Sequence, residues 1–156
     1  MQRSGFTIIE IMVVIILIGI ITAIGLPRFL HSRVPIAQSF MHQVNLLVTE
    51  AVGLAQKEGE PCRIFFNLGA QAVELQTAQG KRVGGSLEIP SVLQVTDVVI
   101  NGESQFQAGS GKTFYFLVNS EGMSQEVYLT LEEKKGGTTR SYTFYLNPFL
   151  TSFRPA

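Results

Sequence analysis

Apolar residues run almost without a break from Phe6 to Leu26, and the one charged position inside that run is Glu10. At ~1.5 Å rise per residue, the 21 residues of the run reach about 31 Å as a helix, close to the ~30 Å hydrocarbon core of a bilayer. Pro27 follows at once. A proline inside a helix removes a hydrogen bond, so Pro27 predicts a kink where the chain leaves the apolar segment. Pro35 is a second possible break. Beyond it the pattern changes. Ile36/Ala37, Phe40/Met41, Val44, Leu47/Val48, Ala51 and Leu54/Ala55 recur every three or four residues, which predicts an amphipathic helix of about 20 residues. Its other face carries Gln38, His42, Gln43, Asn45, Glu50 and Gln56, and Gly59 with Pro61 ends it.

From Cys62 the period becomes that of strands. The pattern predicts them near Arg63–Asn67, Ala72–Gln76, Ser86–Ile89, Val95–Ile100, Thr113–Asn119, Glu126–Glu132 and Ser141–Asn147. Turn residues separate them, among them Gln79-Gly80, Asn101-Gly102 and Gly136-Gly137. Phe114, Phe116 and Val118 alternate with Tyr115 and Leu117, which predicts a strand buried on both faces. Tyr128, Thr130 and Glu132 alternate with Val127, Leu129 and Leu131, which predicts one wet face. The expected class is α+β: a long N-terminal helix, apolar and then amphipathic, packed on a head of antiparallel sheets. The expected divisions are residues 1–5, 6–27, 28–58 and a β-rich head at 59–156.

Composition narrows the function classes. Twelve basic and twelve acidic side chains cancel, so nothing in the charge balance calls for nucleic acid. The tail from Thr151 to Ala156 has a single arginine, Arg154, too few for multi-phosphate contacts. Eleven of the acidic residues are glutamates and the one aspartate is Asp97, so no oxygen-rich calcium loop is spelled out. Cys62 is the only cysteine, which rules out an intramolecular disulfide.

Other chemistry is scarce. Ala108 to Thr113 looks like a phosphate-binding loop, but Phe106 stands where the signature needs glycine and a strand is expected next. His31 and His42 have too few companions for a metal site. Cys62 reads as a small buried residue opening a strand, and Glu132-Glu133 beside Lys134-Lys135 as a solvated hairpin tip. No catalytic set, cofactor site or metal site is expected.

Glu10, a charge inside an apolar run, is the exception. A carboxylate in the apolar part of a bilayer costs roughly 2.5–3.5 kcal/mol, so Glu10 calls for a purpose. An ordinary secretory signal has an apolar core of about 7–15 residues followed by a small-residue cleavage site, and neither is present. A plain anchor explains the length and not the charge. Met1-Gln2-Arg3-Ser4-Gly5, then Phe6 to Glu10 and the apolar run, resembles the class III leader of type IV pilins and type II secretion pseudopilins. The resemblance implies cleavage between Gly5 and Phe6 by a prepilin peptidase that also methylates the Phe6 amine. It also implies an assembly role for Glu10, and a proline at the place of Pro27 is a further match. Arg3 lies before the span and Arg28 and Arg33 after it, so charge does not fix orientation. The resemblance does: a cytoplasmic leader, a single pass through the bacterial inner membrane and a periplasmic head.

The helix-then-strands rhythm of the head is most similar to the H-type minor pseudopilin. The segments that carry it are Leu46 to Ile64, Phe114 to Gly122, Val127 to Leu131 and Tyr142 to Pro148. The glycine usual after the final strand of that type is missing. The function implied is that of a structural subunit of the periplasmic pseudopilus, with other pseudopilins and an inner-membrane assembly platform as partners. The alternative is a minor pilin of a type IV pilus, serving adhesion, motility or DNA uptake. The single cysteine leans to the pseudopilin, since many pilins close a C-terminal loop with a disulfide.

Overall fold

The computed structural model describes residues 8–31, 34–106, 112–122, 125–149 and 152–156, without side chains at 24–31. The chain forms two compact units, residues 1–34 and residues 35–156. Among its described residues the first holds one helix, α1, spanning Ile8–His31. Its backbone stays helical through position 27, and the Pro27 side chain lies outside the described residues.

The second unit begins at Pro35, whose φ of −53° and ψ of 140° place it as the extended residue before α2, Ile36–Glu58. A proline there costs nothing, because the first N–H groups of a helix have no partner within it. α2 stops at Gly59, which adopts the left-handed conformation (φ 72°, ψ 9°) and donates its N–H to Ala55 O at 2.9 Å. The helical stretch expected over 28–58 is thus divided at Pro35, the second of the two possible breaks.

Strands follow as β1 Cys62–Asn67, β2 Ala72–Thr77, β3 Arg82–Glu88, β4 Leu93–Ile100, β5 Glu103–Ser104, β6 Thr113–Val118, β7 Val127–Lys135, β8 Thr138–Leu146 and β9 Arg154–Pro155. They form two antiparallel sheets, one in the order β3-β2-β1-β6 and one in the order β5-β4-β7-β8-β9. The expected strands are all present. β5 and β9, of two residues each, were not predicted, being too short to show a period. β3 starts four residues before its expected position, because Gly84 and Gly85 hide it. Gly84 (φ 74°) sits where the β2–β3 register shifts, between Glu74 and Leu75. Gly136 and Gly137 take φ values of 57° and 82°, the two-residue turn that joins twisted strands, and Lys135 pairs with Thr138 across it.

One face of α2 is the floor of the core. Ala37, Phe40, Met41, Val44, Val48, Ala51 and Ala55 are at most 2% exposed, and the helix packs against β1, β2, β6 and β7. Above it, Phe66 stacks on Phe114 with ring centres 4.6 Å apart, and Phe116 meets Phe153 edge-on at 5.7 Å. Leu47 is half-buried at the margin of the stripe, and its neighbour Val48 points inward.

β6 departs from its expectation. Phe114, Phe116 and Val118 are buried, but Tyr115 is 48% exposed and Leu117 37%. Among the described residues the outer face of its sheet carries no second layer, so one set of alternating side chains is exposed. β7 keeps its expected wet face, with Tyr128, Thr130 and Glu132 outward and Val127, Leu129 and Leu131 buried. The two faces of β6 predict unequal costs. Phe116→Ala removes a ring with no exposed surface and should lower stability by about 3–5 kcal/mol. Tyr115→Ala, one residue away, should cost less than about 1 kcal/mol. Denaturant unfolding of the full-length variants in detergent measures both, and equal costs would contradict the one-layer arrangement.

Candidate functional site

α1 carries the features that single this chain out. Ile11 through Ile18 are consecutive apolar residues, each 50–63% exposed, and they span more than two turns. Every side of the helix is therefore apolar. A soluble surface helix keeps a polar face, and a helix without one is covered by a membrane or by other protein. Thr22 does not break the rule, because its hydroxyl donates to Ile18 O at 2.7 Å within the helix.

Glu10 lies in the first turn of α1. A carboxylate there interacts favourably with the positive end of the helix dipole, worth typically about 0.3–1 kcal/mol at an exposed site. It stands on the exposed surface amid Ile8, Ile9, Ile11 and Met12. Gly5 and Phe6, the expected cleavage and methylation positions, lie outside the described residues. Among the described residues no helix is long and apolar enough to cross a membrane. The part of α1 with described side chains, residues 8–23, reaches about 24 Å at ~1.5 Å per residue. In the sequence the apolar run continues past it at both ends, to Phe6 and to Leu26.

The second unit offers little reactive chemistry. Cys62 opens β1, is 1% exposed, and its thiol is pushed above the ordinary range by burial, then by Glu58 and Glu60. A thiol held protonated in this way is a packing residue and a poor nucleophile. His42 is exposed on α2, whereas the side chain of His31 lies outside the described residues. Among the described residues no three His, Cys, Asp or Glu side chains are grouped to hold a metal ion. The loop-like segment from Ala108 falls mostly outside the described residues, and Thr113 opens a strand as expected.

Two polar residues do structural work that the sequence reading missed. Glu133, expected to be solvated, is 9% exposed, and its Oε2 accepts a hydrogen bond from Ala37 N–H at 3.3 Å. It thereby caps α2, where Pro35 supplies no side-chain acceptor. The signal was present in the alternation, since Glu133 continues the inward series of Val127, Leu129 and Leu131. Asn45, assigned to the polar face of α2, is half-buried. Its Nδ2 donates to Phe153 O at 3.1 Å and its Oδ1 accepts from Phe153 N–H at 2.6 Å. The side-chain amide pairs with the tail as a strand would. On the outer face of the second sheet, the hydroxyls of Tyr128 and Tyr145 both donate to Glu126 Oε1, at 3.5 and 3.2 Å, and their rings stack at 4.6 Å. Desolvation first, then the Glu126 hydrogen bond, raises the Tyr145 phenol above its ordinary pKa, so it remains a donor.

Residues 1–26 match the family described as the prokaryotic N-terminal methylation motif. No curated protein and no solved structure matches the chain. The motif indicates a type IV pilin-like N-terminus, of pilus or pseudopilus kind, and is typical of membrane-anchored subunits. It implies processing by a prepilin peptidase and assembly with other pilin-like subunits, a structural role. The match covers the apolar segment and none of the β-rich unit.

The state of Cys62 is open to direct measurement. Iodoacetamide at pH 8 should leave it unmodified in the folded protein and alkylate it completely in denaturant, as read by intact mass. Rapid alkylation of the folded chain would show that the thiol is accessible and ionised.

Proposed function

We propose that the protein is a minor pseudopilin of a type II secretion system, closest to the H-type, assembled into the periplasmic pseudopilus for protein export. In this reading residues 1–5 are the leader, removed between Gly5 and Phe6, and the Phe6 amine is then methylated. Residues 6–27 serve first as the single inner-membrane span and later as filament core, bent at Pro27. Residues 28–58 form the arm and 59–156 the periplasmic head. The partners are the peptidase that processes it, the other pseudopilins and the inner-membrane assembly platform. The observation that carries the reading is the methylation motif joined to a helix that is apolar on every side and bears Glu10 in its first turn. The motif is common to pilus subunits, and the lone buried Cys62, which leaves no internal disulfide, favours the pseudopilin.

Glu10 has a definite part in such an assembly. As a subunit passes from lipid into a fibre, its carboxylate meets the methylated amine of Phe6 on the adjacent subunit, which remains cationic after one methylation. In an apolar setting, breaking such a pair by removing one partner costs about 3–5 kcal/mol, enough to fix the axial register. Glu10→Val should therefore leave processing intact and abolish both co-purification with partner subunits and export in the native host. Wild-type export by that variant would refute the pairing. Loss of piliation or twitching with normal export, on deletion of the gene, would place the chain in a pilus instead.

A further inference from the structure

The β7–β8 hairpin and the start of α2 share one end of the second unit, and two ties fix this. Glu133 of β7 accepts from Ala37 N–H, whereas Asn45, about two turns further along α2, is bound to Phe153. Phe153 precedes Arg154, which pairs with Tyr145, itself opposite Tyr128 near the start of β7. β7 therefore runs from the middle of α2 towards its first turn. Lys134 and Lys135 carry it about 7 Å past Glu133 before the chain turns back through Gly136 and Gly137. β1 leaves the far end of α2 and returns along it. The turn after β1 lies at the same end as the hairpin, and its Leu68 N–H donates to Lys112 O at 2.7 Å.

That end is basic. Lys112, Lys134, Lys135 and Arg140 are exposed on it, against Glu88 and Glu132, while Glu133 turns inward to α2. Residues 107–111 add no charge. The balance reverses over the rest of residues 35–156, which hold five basic and eight acidic side chains. Lys134 Nζ donates to Gln94 Oε1 at 2.9 Å, which holds the ammonium in place and uses one of its three protons. The two glycines at the apex carry no side chain to keep the cations off a flat surface.

The chain enters the second unit at this same end. Pro35 precedes α2, and only residues 27–34 separate it from the apolar run, at most about 30 Å of extended chain. Arg28 and Arg33 fall within that link and add to the positive charge. We propose that this end of the second unit seats on anionic phospholipid headgroups, with Lys134, Lys135 and Arg140 as the main contacts. The placement depends on the apolar run being a membrane anchor, as proposed above, and adds a second, electrostatic attachment to it. The tether decides the occupant, because the bilayer that holds the run is the surface kept within reach. Cations on both sides of an exposed turn suit such a plane of charge, and each one close to an anionic leaflet raises occupancy on the order of fivefold.

Lipid nanodiscs that each hold one full-length chain test this contact. A fluorophore on Thr138→Cys reports the hairpin. One on Glu121→Cys reports the other end, since the adjoining Gly122 lies beside Val52 in the second half of α2. Cys62 is buried and stays unlabelled. The discs contain phosphatidylcholine alone or with one third phosphatidylglycerol, and a trace of headgroup spin-labelled lipid acts as quencher. Phosphatidylglycerol should raise quenching at position 138 on the order of fivefold or more, leave position 121 unchanged, and lose its effect in high salt. Lys134→Gln, Lys135→Gln and Arg140→Gln together, all at exposed positions, should lower that quenching by on the order of tenfold, with an unchanged circular dichroism spectrum. Inorganic phosphate at matched ionic strength should not compete. Equal quenching in the two lipids, an unchanged response in the triple variant, or displacement by phosphate would each overturn the contact. A chain that stays out of the discs would overturn the anchor itself, whereas one that enters them with a silent hairpin would overturn this contact alone.

Discussion

The apolar face of α2 ties both sheets of the second unit into one core. Strands β1, β2 and β6 of one sheet and β7 of the other all pack against this helix. The face grades from large to small. Phe40 and Met41 fill the volume near its start, while Ala51 and Ala55 let backbone come close near its end. Burying such a face is the dominant favourable contribution to a core of this kind, at about 25 cal/mol per Å² of apolar surface. Hydrogen bonds then fix the position of the helix more than they add to its stability. Glu133 holds its first turn, Asn45 ties its middle to Phe153, and Gly59 closes its end.

Much of this was legible because burial writes a period into the sequence. The three-to-four spacing from Ile36 to Ala55 marked α2, and the alternation in Val127 to Leu131 gave both the strand and its inward face. The readings that failed did so where one residue answers to two rules. Tyr115 and Leu117 looked like core because they are apolar, yet the number of layers above a sheet is a tertiary fact that alternation cannot report. Glu133 looked like surface because it is charged, although its register pointed inward and the N-terminus of α2 offered a donor. β3 was shortened in the reading because Gly84 and Gly85 resemble a turn, where the fold uses Gly84 for a bulge. The tie between Asn45 and Phe153 spans 108 residues, a distance over which local pattern carries no information.

α1 shows the opposite balance. Its character is fully written in the sequence, and its purpose is the part that packing within the chain does not supply. A helix apolar on all sides is covered either by lipid or by other helices, and a pilin-like subunit meets these in succession. In the proposed assembly Glu10 discriminates between the two environments, since a carboxylate is costly in lipid and useful beside an ammonium in a fibre. The methylation motif over residues 1–26 spans the residues whose apolar side chains are exposed on α1, so motif and surface describe one pilin-like segment.

Intact-mass and N-terminal analysis of the protein purified from its native host bears on that role most directly. The pilin-like account predicts a chain that begins at Phe6 with one added methyl group, the five residues from Met1 to Gly5 having been removed. A mature protein that retains Met1 to Gly5, or one that is cut beyond the apolar run as an ordinary secretory signal would be, would contradict it.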